Sequence, residues 1–182
     1  MSSEEDRARI LAYSSTDFAA LLTPLSAGIE VPGWPPGRLL EYFILRAFRD
    51  SGAEVTWPYY VNQDGQIIEQ VDGALYVGAI HAIVEAKDYD SAVDFEPIAK
   101  LQSRLLRRPA LAIACLFSRS GFTAPAKTLA RYTFPQTILL WEGLELKRAF
   151  EEDRLVDGLL MKMKYAVERG APDYNILEVM DA

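Results

Sequence analysis

The segment IIEQVDGALYVGAIHAIVEAK, residues 67–87, sets the architecture of this chain. Two strand-like runs flank the small pair Gly78-Ala79, a composition typical of a tight hairpin loop of about two residues. We therefore predict one strand over residues 67–77 and another over residues 80–87. With that loop, antiparallel partners have residue numbers that sum to 157, so the sequence also predicts the register.

The predicted register brings acidic and basic side chains together. Asp72 is expected directly opposite Glu85. Gln70 is expected opposite Lys87, which strand periodicity puts on the same face as Glu85. Two facing carboxylates repel unless a cation lies between them, and Mg²⁺ or Mn²⁺ binds carboxylate oxygens readily. Asp72 and Glu85 are therefore candidate metal ligands, with the backbone carbonyl of Ala86 as a further one. Lys87 is a candidate catalytic residue, because an ammonium there orients the attacking water or neutralises charge on a phosphate.

Further helices and strands surround this hairpin. Residues 38–50 place their apolar side chains on one half of a helical wheel, which predicts a helix with one buried face. The continuous apolar run 110–117 is typical of a strand buried on both faces. The remaining predicted elements are a helix over about residues 4–22, a Pro/Gly-rich connection over 31–37, a strand over 54–61, a turn over 62–65, a helix over 94–108, a helix over 123–132, a strand over 137–141 and a helical segment over about 144–169. This order predicts an α/β sandwich around a mixed sheet.

Length and composition bound the class of protein. A chain of 182 residues that is 50% apolar and 25% charged is expected to form one compact domain. Within it we distinguish an N-terminal helix with its Pro/Gly-rich connection (1–36), a core (37–150) and a C-terminal helical extension (151–182). No apolar run reaches the roughly 18 residues of a membrane span. The acidic N-terminus does not look like a secretion signal, and the lone Cys115 cannot form an internal disulfide, so we expect a cytoplasmic protein.

Charge is segregated along the chain. The net charge of −7, taken alone, argues against a nucleic-acid partner. Residues 37–150 hold thirteen acids and thirteen bases, however, so the middle of the chain is neutral. Residues 97–141 hold seven bases and no acid, and residues 85–96 just before them hold five acids and one base. A carboxylate cluster beside a basic surface is what a metal-assisted phosphodiester site requires, although Glu85-Ala-Lys87 alone also fits a surface charge pair.

Two groups of side chains are candidates for contacts with DNA. The predicted helix 94–108 carries a basic stripe formed by Lys100, Arg104, Arg107 and Arg108. The stripe fits a surface that contacts DNA phosphates, and it fits equally well a solvated helix face with cations favoured near its C-terminus. Ser120 and Thr123 lie at the start of a further helix, whose first N–H groups are able to bind a phosphate. A helix cap formed by Thr123 explains the same residues without a ligand.

Three short motifs together resemble a known family. They are Asp72-Gly73, Glu85-Ala86-Lys87 and Ser120-Gly121-Phe122-Thr123. Over about residues 37–150 the chain resembles the PD-(D/E)xK restriction-endonuclease-like superfamily, and most closely its Mrr-like restriction endonuclease group. Val71 stands where that family has a proline. The resemblance implies a three-layer α/β sandwich with a mixed central sheet, metal ligation by Asp72 and Glu85, and a catalytic Lys87. It also implies that Glu41, on the predicted helix 38–50, is an accessory catalytic acid near the metal.

The motifs and the resemblance lead to three hypotheses about function. The first is a DNA endonuclease of restriction or defence type that hydrolyses phosphodiester bonds with a water activated by Mg²⁺ or Mn²⁺. The second is a catalytically silent subunit that keeps the nuclease fold and binds DNA or another protein. The third adds that the C-terminal helical segment forms a homodimer interface, so that two copies cut as a pair.

Overall fold

The computed structural model describes residues 3–180, except for the side chains of residues 179 and 180. Residues 1–2 and 181–182, the outer ends of the two predicted flanking segments, lie outside the described residues. The helices are α1 (Ser3–Ala12), α2 (Ser15–Ala20), α3 (Leu22–Ala27), α4 (Arg38–Asp50), α5 (Phe95–Leu105), α6 (Ala124–Arg131), α7 (Gly143–Glu151), α8 (Leu155–Arg169) and α9 (Leu177–Met180). The strands are β1 (Glu54–Thr56), β2 (Tyr59–Gln63), β3 (Gln66–Val71), β4 (Gly73–Val77), β5 (Ile80–Lys87), β6 (Ala112–Ser118) and β7 (Ile138–Glu142). In this described part of the chain, no helix is both long and apolar enough to cross a membrane.

The strands of residues 3–180 form two sheets. The larger has the order β1-β4-β5-β6-β7, in which β1, β4 and β5 pair antiparallel and β5, β6 and β7 pair parallel. The smaller is the antiparallel pair β2–β3. Helices α1 to α4, α7 and α8 share one core cluster with one face of the large sheet. Helices α5 and α6 share a second cluster with the other face and with residues of β2 and β3. The predicted three-layer α/β sandwich with a mixed central sheet is therefore confirmed.

The two most apolar patterns lie where they were predicted. Helix α4 buries the apolar residues that share half of its helical wheel, namely Leu39, Leu40, Phe43, Ile44, Ala47 and Phe48. The expectation of a single buried face is wrong, because Tyr42, Leu45 and Arg46 are buried as well. Along β6, Cys115 and Phe117 belong to the core cluster on one side of the sheet, and Ala114 and Leu116 belong to the cluster on the other. Successive side chains of a strand point to opposite faces of the sheet. A strand that is apolar at every position therefore contributes to both core clusters, because both faces of a central strand are covered.

The β4–β5 hairpin has the predicted register. Val77 pairs with Ile80 across the Gly78-Ala79 loop, and the pairing runs on to Gly73 opposite Val84. Each of these pairs has residue numbers that sum to 157. A loop of two residues leaves one register, since a slip by one residue would turn every side chain to the opposite face.

The prediction of a single strand over residues 67–77 is wrong, because the strand breaks at Asp72. Gly73 has a φ of 148°, and a Cβ at that position would lie 2.7 Å from the Leu45 side chain and 2.8 Å from the carbonyl oxygen of Thr56. Glycine is therefore required there, and the chain changes direction between β3 and β4. Asp72 is outside the ladder with β5, and the expected pairing of Gln70 with Lys87 does not form, because Gln70 pairs with Tyr60 in the small sheet.

The strand predicted over residues 54–61 also divides between the two sheets. Thr56 is the last residue of β1, which pairs with β4, and Tyr59 is the first of β2, which pairs with β3. The break falls at Pro58, which has no N–H to give to a ladder. The predicted turn over 62–65 contracts to Asp64-Gly65, whose φ angles are 50° and 78°. Both values suit the tight turn that matches the twist of a hairpin.

The helices predicted at the two ends are interrupted. The segment 4–22 forms α1, α2 and the start of α3, because the Ser14 side chain accepts a hydrogen bond from the Asp17 N–H (3.1 Å) and so begins a new helix. The segment 144–169 forms α7 and α8, which are separated at Asp153, a residue with a φ of 52°. Such a conformation ends a helix, since only isolated residues adopt it.

Helix α8 is tied to the core by a buried ion pair. Lys162 Nζ lies 2.6 Å from Glu145 Oε1, and both side chains are at most 1% exposed. The same ammonium donates to the carbonyl oxygens of Leu140 and Tyr174, at 2.6 Å each. Glu145 in turn accepts the N–H of Ile176 at 2.9 Å. Each charge is therefore paired and hydrogen-bonded, which is the condition under which burial of an ion pair is tolerated.

Candidate active site

The break between β3 and β4 places the carboxylate of Asp72 at the side of β5. Asp72 Oδ2 accepts a hydrogen bond from the backbone N–H of Ala86 at 3.0 Å. The Asp72 carboxylate thus accepts the N–H of Ala86, for which the β4–β5 ladder provides no backbone partner because it ends at Gly73. The residue is 8% exposed, so the carboxylate lies largely out of water. The prediction that Asp72 lies directly opposite Glu85 in the ladder is wrong, because the pairing ends at Gly73 and Val84. Asp72 instead binds the N–H of the residue after Glu85, and the charge of Glu85 acts on it.

Glu85 and Lys87 lie on the same face of β5, as strand periodicity predicts. Lys87 Nζ is 2.6 Å from Glu85 Oε1. Their side chains are 12% and 19% exposed. An ion pair this well covered is screened much less by solvent than a surface pair. The two side chains therefore form one ion pair at the C-terminal end of β5.

Glu41 reaches the same region from α4, on the opposite side of β5. Its Oε2 is buried and, among the described residues, has no hydrogen-bond partner, and the nearest cation is Arg38 at 4.0 Å. Burial, followed by the charge of Asp72, raises the pKa of Glu41 from 4.5 to about 8. The charges of Glu85 and Lys87 also act on it. The pKa of Glu41 thus responds to the charges of the other three residues that sequence and resemblance single out as catalytic.

Burial is the first cause of the shifted pKa values of the acids in this cluster. Burial, followed by the charge of Glu85, raises the pKa of Asp72 from 3.8 to about 6. Burial acts to lower the pKa of Lys87, but the charge of Glu85 and the hydrogen bond to it outweigh burial, and the pKa is raised. A carboxyl group with a raised pKa is one whose ionised form lacks compensation. The cluster therefore favours the arrival of a further cation.

Arg104 belongs to this cluster, which sequence reasoning did not recognise. Its Nη1 donates to Glu85 Oε2, and its Nε lies 3.2 Å from Glu69 Oε1. Glu69 on β3 also binds Arg107 (3.4 Å) and Arg108 (3.1 Å). Three of the four predicted DNA-binding bases thus have an internal partner. Arg107 and Arg108 lie beyond the end of α5 at Leu105, so the helix predicted over 94–108 is shorter than expected. Glu69 itself was missed, and the one local signal is a lone acid within an otherwise uncharged strand.

The other candidate DNA-binding residues have local partners as well. Lys100, 69% exposed, forms an ion pair with Glu96 at 2.7 Å. Ser120 donates to the carbonyl oxygen of Ser91 at 2.5 Å. Thr123 accepts the N–H of Ala126 at 3.3 Å and so caps α6, as the sequence alternative without a ligand expects. These contacts explain the residues structurally, and their binding to DNA stays a prediction.

The donor set fits a divalent metal ion, although no group of three Asp, Glu, His or Cys side chains in the described part of the chain forms a ready-made metal site. Asp72, Glu85 and Glu41 supply carboxylate oxygens, the ligands that Mg²⁺ and Mn²⁺ prefer. The buried Glu41 Oε2 without a hydrogen-bond partner is an acceptor that a cation would satisfy. Ligation by the carbonyl of Ala86 stays a prediction, since the contact seen there uses its N–H.

Comparison with known proteins bears on the family and the fold. Residues 36–150 match the family model Mrr_cat, described as a restriction endonuclease. No curated protein matches the chain. The structure of restriction endonuclease FokI is similar with a TM-score of 0.50 and 16% identity, over 89% of this chain and 33% of that one. At that identity the likeness concerns the fold.

Two further solved structures are similar to a lesser degree. They are the MspJI restriction endonuclease in complex with a 27-mer oligonucleotide (TM-score 0.45, 21% identity, 100% of this chain and 42% of that one) and the protein of unknown function AF1548 (0.48, 14%, 57% and 58%). The chain spans less than two thirds of the length of each of these three structures. The family model, by contrast, covers more than half of this chain and includes every residue of the cluster. The chain therefore belongs to the Mrr-like restriction endonuclease family.

Proposed function

We propose that this nuclease-family chain is a DNA endonuclease that hydrolyses phosphodiester bonds with the help of Mg²⁺ or Mn²⁺. The observation that carries the proposal is the cluster of Glu41, Asp72 and Glu85 beside Lys87, in which the pKa values of Glu41 and Asp72 are raised to about 8 and about 6. Buried acids next to an ammonium, on a nuclease fold, are the chemical equipment of metal-assisted phosphodiester cleavage.

Each residue of the cluster has a role that follows from its contacts. Asp72 and Glu85 would hold the metal ion, and the Ala86 N–H orients the Asp72 carboxylate by donating to Oδ2 (3.0 Å). Bound Mg²⁺ or Mn²⁺ would lower the pKa of a ligated water and stabilise charge on the leaving oxygen. Lys87 donates to the attacking water or to a phosphate oxygen, held in place by Glu85 at 2.6 Å. Glu41 is an accessory acid that carries its proton until the site gains positive charge.

The proposed DNA surface lies on α5 and at the start of α6. Lys100 and Arg107 are 69% and 52% exposed, so their ammonium and guanidinium groups are accessible to backbone phosphates. Arg104 and Arg108 are about one fifth exposed and hold Glu69, which makes them the less accessible members of the proposed set. Ser120 and Thr123 complete the predicted surface at the N-terminal end of α6.

The proposal is tested by incubation of the purified protein with supercoiled plasmid DNA and Mg²⁺ or Mn²⁺. We expect nicked or linear product, and a loss of rate of about a hundredfold or more for Asp72→Asn and Lys87→Gln, because each removes a group that acts on the reacting atoms. Glu54→Gln, an exposed acid on the edge strand β1, is the matched control and keeps the rate. Cleavage that survives both site variants overturns the assigned site. Metal or DNA binding without any cleavage favours the silent binding subunit instead.

We also propose the C-terminal helical segment as a homodimer interface. Leu160 and Val167 are 46% and 74% exposed, and their spacing of seven residues places them on one side of α8. Sedimentation equilibrium is expected to show a dimer that Leu160→Glu weakens. A strict monomer at all concentrations removes this proposal and leaves the catalytic one intact. A cytoplasmic location likewise stays a prediction from composition.

A further inference from the structure

Both oxygens of the Glu85 carboxylate are held by cations of the protein itself. Lys87 Nζ lies 2.6 Å from Oε1, and Arg104 Nη1 donates to Oε2. Each oxygen keeps a second lone pair, but a metal ion that takes Glu85 as a ligand meets the positive charge of both cations and competes with them for the charge of the carboxylate. Lys87 is on the same strand, two residues away, whereas Arg104 comes from α5 and is the partner that can withdraw.

Arg104 has a second acceptor within reach. Its Nε lies 3.2 Å from Glu69 Oε1, so one guanidinium bridges two carboxylates. The Glu69 side chain is 3% exposed, and Oε1 accepts no conventional hydrogen bond from the described residues beyond this ion pair. A guanidinium has five donors in a rigid fork, and it can therefore bind Glu69 more fully when it leaves Glu85.

We propose that Arg104 is a positioning residue that holds the metal ligand Glu85 in place in the metal-free protein and is displaced from it when the metal binds, with Glu69 as the acceptor that retains it. This inference rests on the proposed function, since it takes Glu85 as a metal ligand. In the metal-free state Arg104 offsets part of the charge of Asp72 and Glu85. In the metal-bound state Glu69 keeps the displaced guanidinium buried and paired, which avoids the cost of an unpaired buried charge.

The inference predicts effects of opposite sign on metal affinity. Arg104→Gln removes the competing cation, so the Kd for Mn²⁺ falls, by about tenfold (about 1.4 kcal/mol). Glu69→Gln takes away the acceptor to which Arg104 withdraws, so the Kd rises, by about fivefold or more. Arg104→Lys restores a cation at Glu85 and returns the Kd to within about threefold of the original value.

A double-mutant cycle separates displacement from the simple sum of charges. If Glu69 acts through Arg104, Glu69→Gln changes the Kd by less than about twofold in the Arg104→Gln background. If both charges act on the metal independently through the field, the two effects add in the double variant. Lys164→Gln is the control for the loss of one positive charge, because Lys164 is 66% exposed on α8 and pairs with Glu168 rather than with Glu69 or Glu85. We expect it to leave the Kd unchanged.

The experiment is a titration of the metal-free protein with Mn²⁺ alone, followed by isothermal calorimetry and by the electron spin resonance of free Mn²⁺, with no DNA present. Circular dichroism and thermal melts establish that each variant is folded. Opposite shifts for Arg104→Gln and Glu69→Gln that do not add support the inference. Additive shifts, or an unchanged Kd for Arg104→Gln, overturn it while the proposed metal site stands. No Mn²⁺ binding by the unaltered protein overturns the inference together with metal ligation, and so the proposed function itself.

Discussion

The protonation of Glu41 gives the most direct test of the electrostatics of the cluster. The perturbation is Glu41→Gln, which replaces the buried carboxyl group by a neutral amide of the same shape. In the folded protein the pKa of Glu41 is raised from 4.5 to about 8, first by burial and then by the charge of Asp72. The folded state thus holds this proton more tightly than the unfolded state does. Stability contributed by the protonated form is fully present below pH 4.5 and is lost as the pH rises to about 8.

The expected magnitude follows from this pKa. Each unit of difference between the folded and the unfolded pKa corresponds to about 1.4 kcal/mol of stability. The change in the free energy of unfolding between about pH 5 and about pH 8 is therefore at most about 4 kcal/mol. We expect about 2 to 3 kcal/mol, because Arg38, which lies 4.0 Å from Glu41 and 3.7 Å from Asp6, can shift its guanidinium towards an ionised Glu41. Gln at this position cannot ionise. Its free energy of unfolding relative to the original protein therefore rises by this amount between about pH 5 and about pH 9.

The assay is urea unfolding of both proteins with EDTA present, followed by tryptophan fluorescence at several pH values. The difference in free energy of unfolding between the two proteins includes the cost of burying the amide, about 1 to 3 kcal/mol where the amide lacks a partner. This cost does not depend on pH, so it cancels when the difference at one pH is subtracted from the difference at another. Glu54→Gln on β1 replaces an exposed acid and is expected to show no such pH-dependent difference. A difference between Glu41→Gln and the original protein that is the same at both pH values would refute the reasoning about burial and charge at this site.

Three further predictions follow from the same structure. First, the affinity for Mn²⁺ should rise as the pH passes the pKa of Asp72, about 6, because a carboxylate must lose its proton to bind a metal ion. Calorimetric titrations at several pH values measure this affinity. An affinity that does not change with pH would show that Asp72 is not a ligand. Second, Lys162→Met leaves the buried carboxylate of Glu145 without a partner and should lower the free energy of unfolding by about 3 to 5 kcal/mol. Lys164→Met on the same helix, where Lys164 is 66% exposed, should change it by less than about 0.5 kcal/mol. Equal losses of the two variants in urea unfolding would contradict the importance of the buried pair. Third, Gly73→Ala places a Cβ 2.8 Å from a backbone oxygen and should lower the free energy of unfolding by about 2 kcal/mol or more. Gly78→Ala, with open space around the added Cβ, should lower it by about 1 kcal/mol. Similar Tm shifts for the two variants would show that the chain can relax at residue 73.

The sequence predicted much of the fold because local rules govern the elements concerned. The register of the β4–β5 hairpin depends on a two-residue loop and on alternation, and both are legible in residues 73–84. Helix α4 and the doubly buried strand β6 have apolar periods that match their burial. The likeness to the Mrr-like family also rested on short local motifs, and the match of residues 36–150 to that family confirms it.

The breaks in the longer elements were not predicted. The strand expected over residues 67–77 divides at Asp72, because space beside Leu45 and Thr56 admits a glycine alone at position 73. That restriction comes from α4 and β1, elements distant in the sequence. A strand pattern that continues through the break gives no local sign of it. Local propensity therefore predicted a continuous strand, and packing against other elements decided against it.

What the sequence by itself determined is the composition of the site, namely which carboxylates and which lysine lie at the end of one hairpin. Only the tertiary structure decided which charges meet there. Glu69 meets its arginine partners across separations of 38 and 39 residues for Arg107 and Arg108, and Glu85 meets Arg104 across 19. The physical reason is that alternation along a strand or helix determines which way a side chain points. The partner it meets is determined by how α5 packs on the two sheets, which no period in the sequence records.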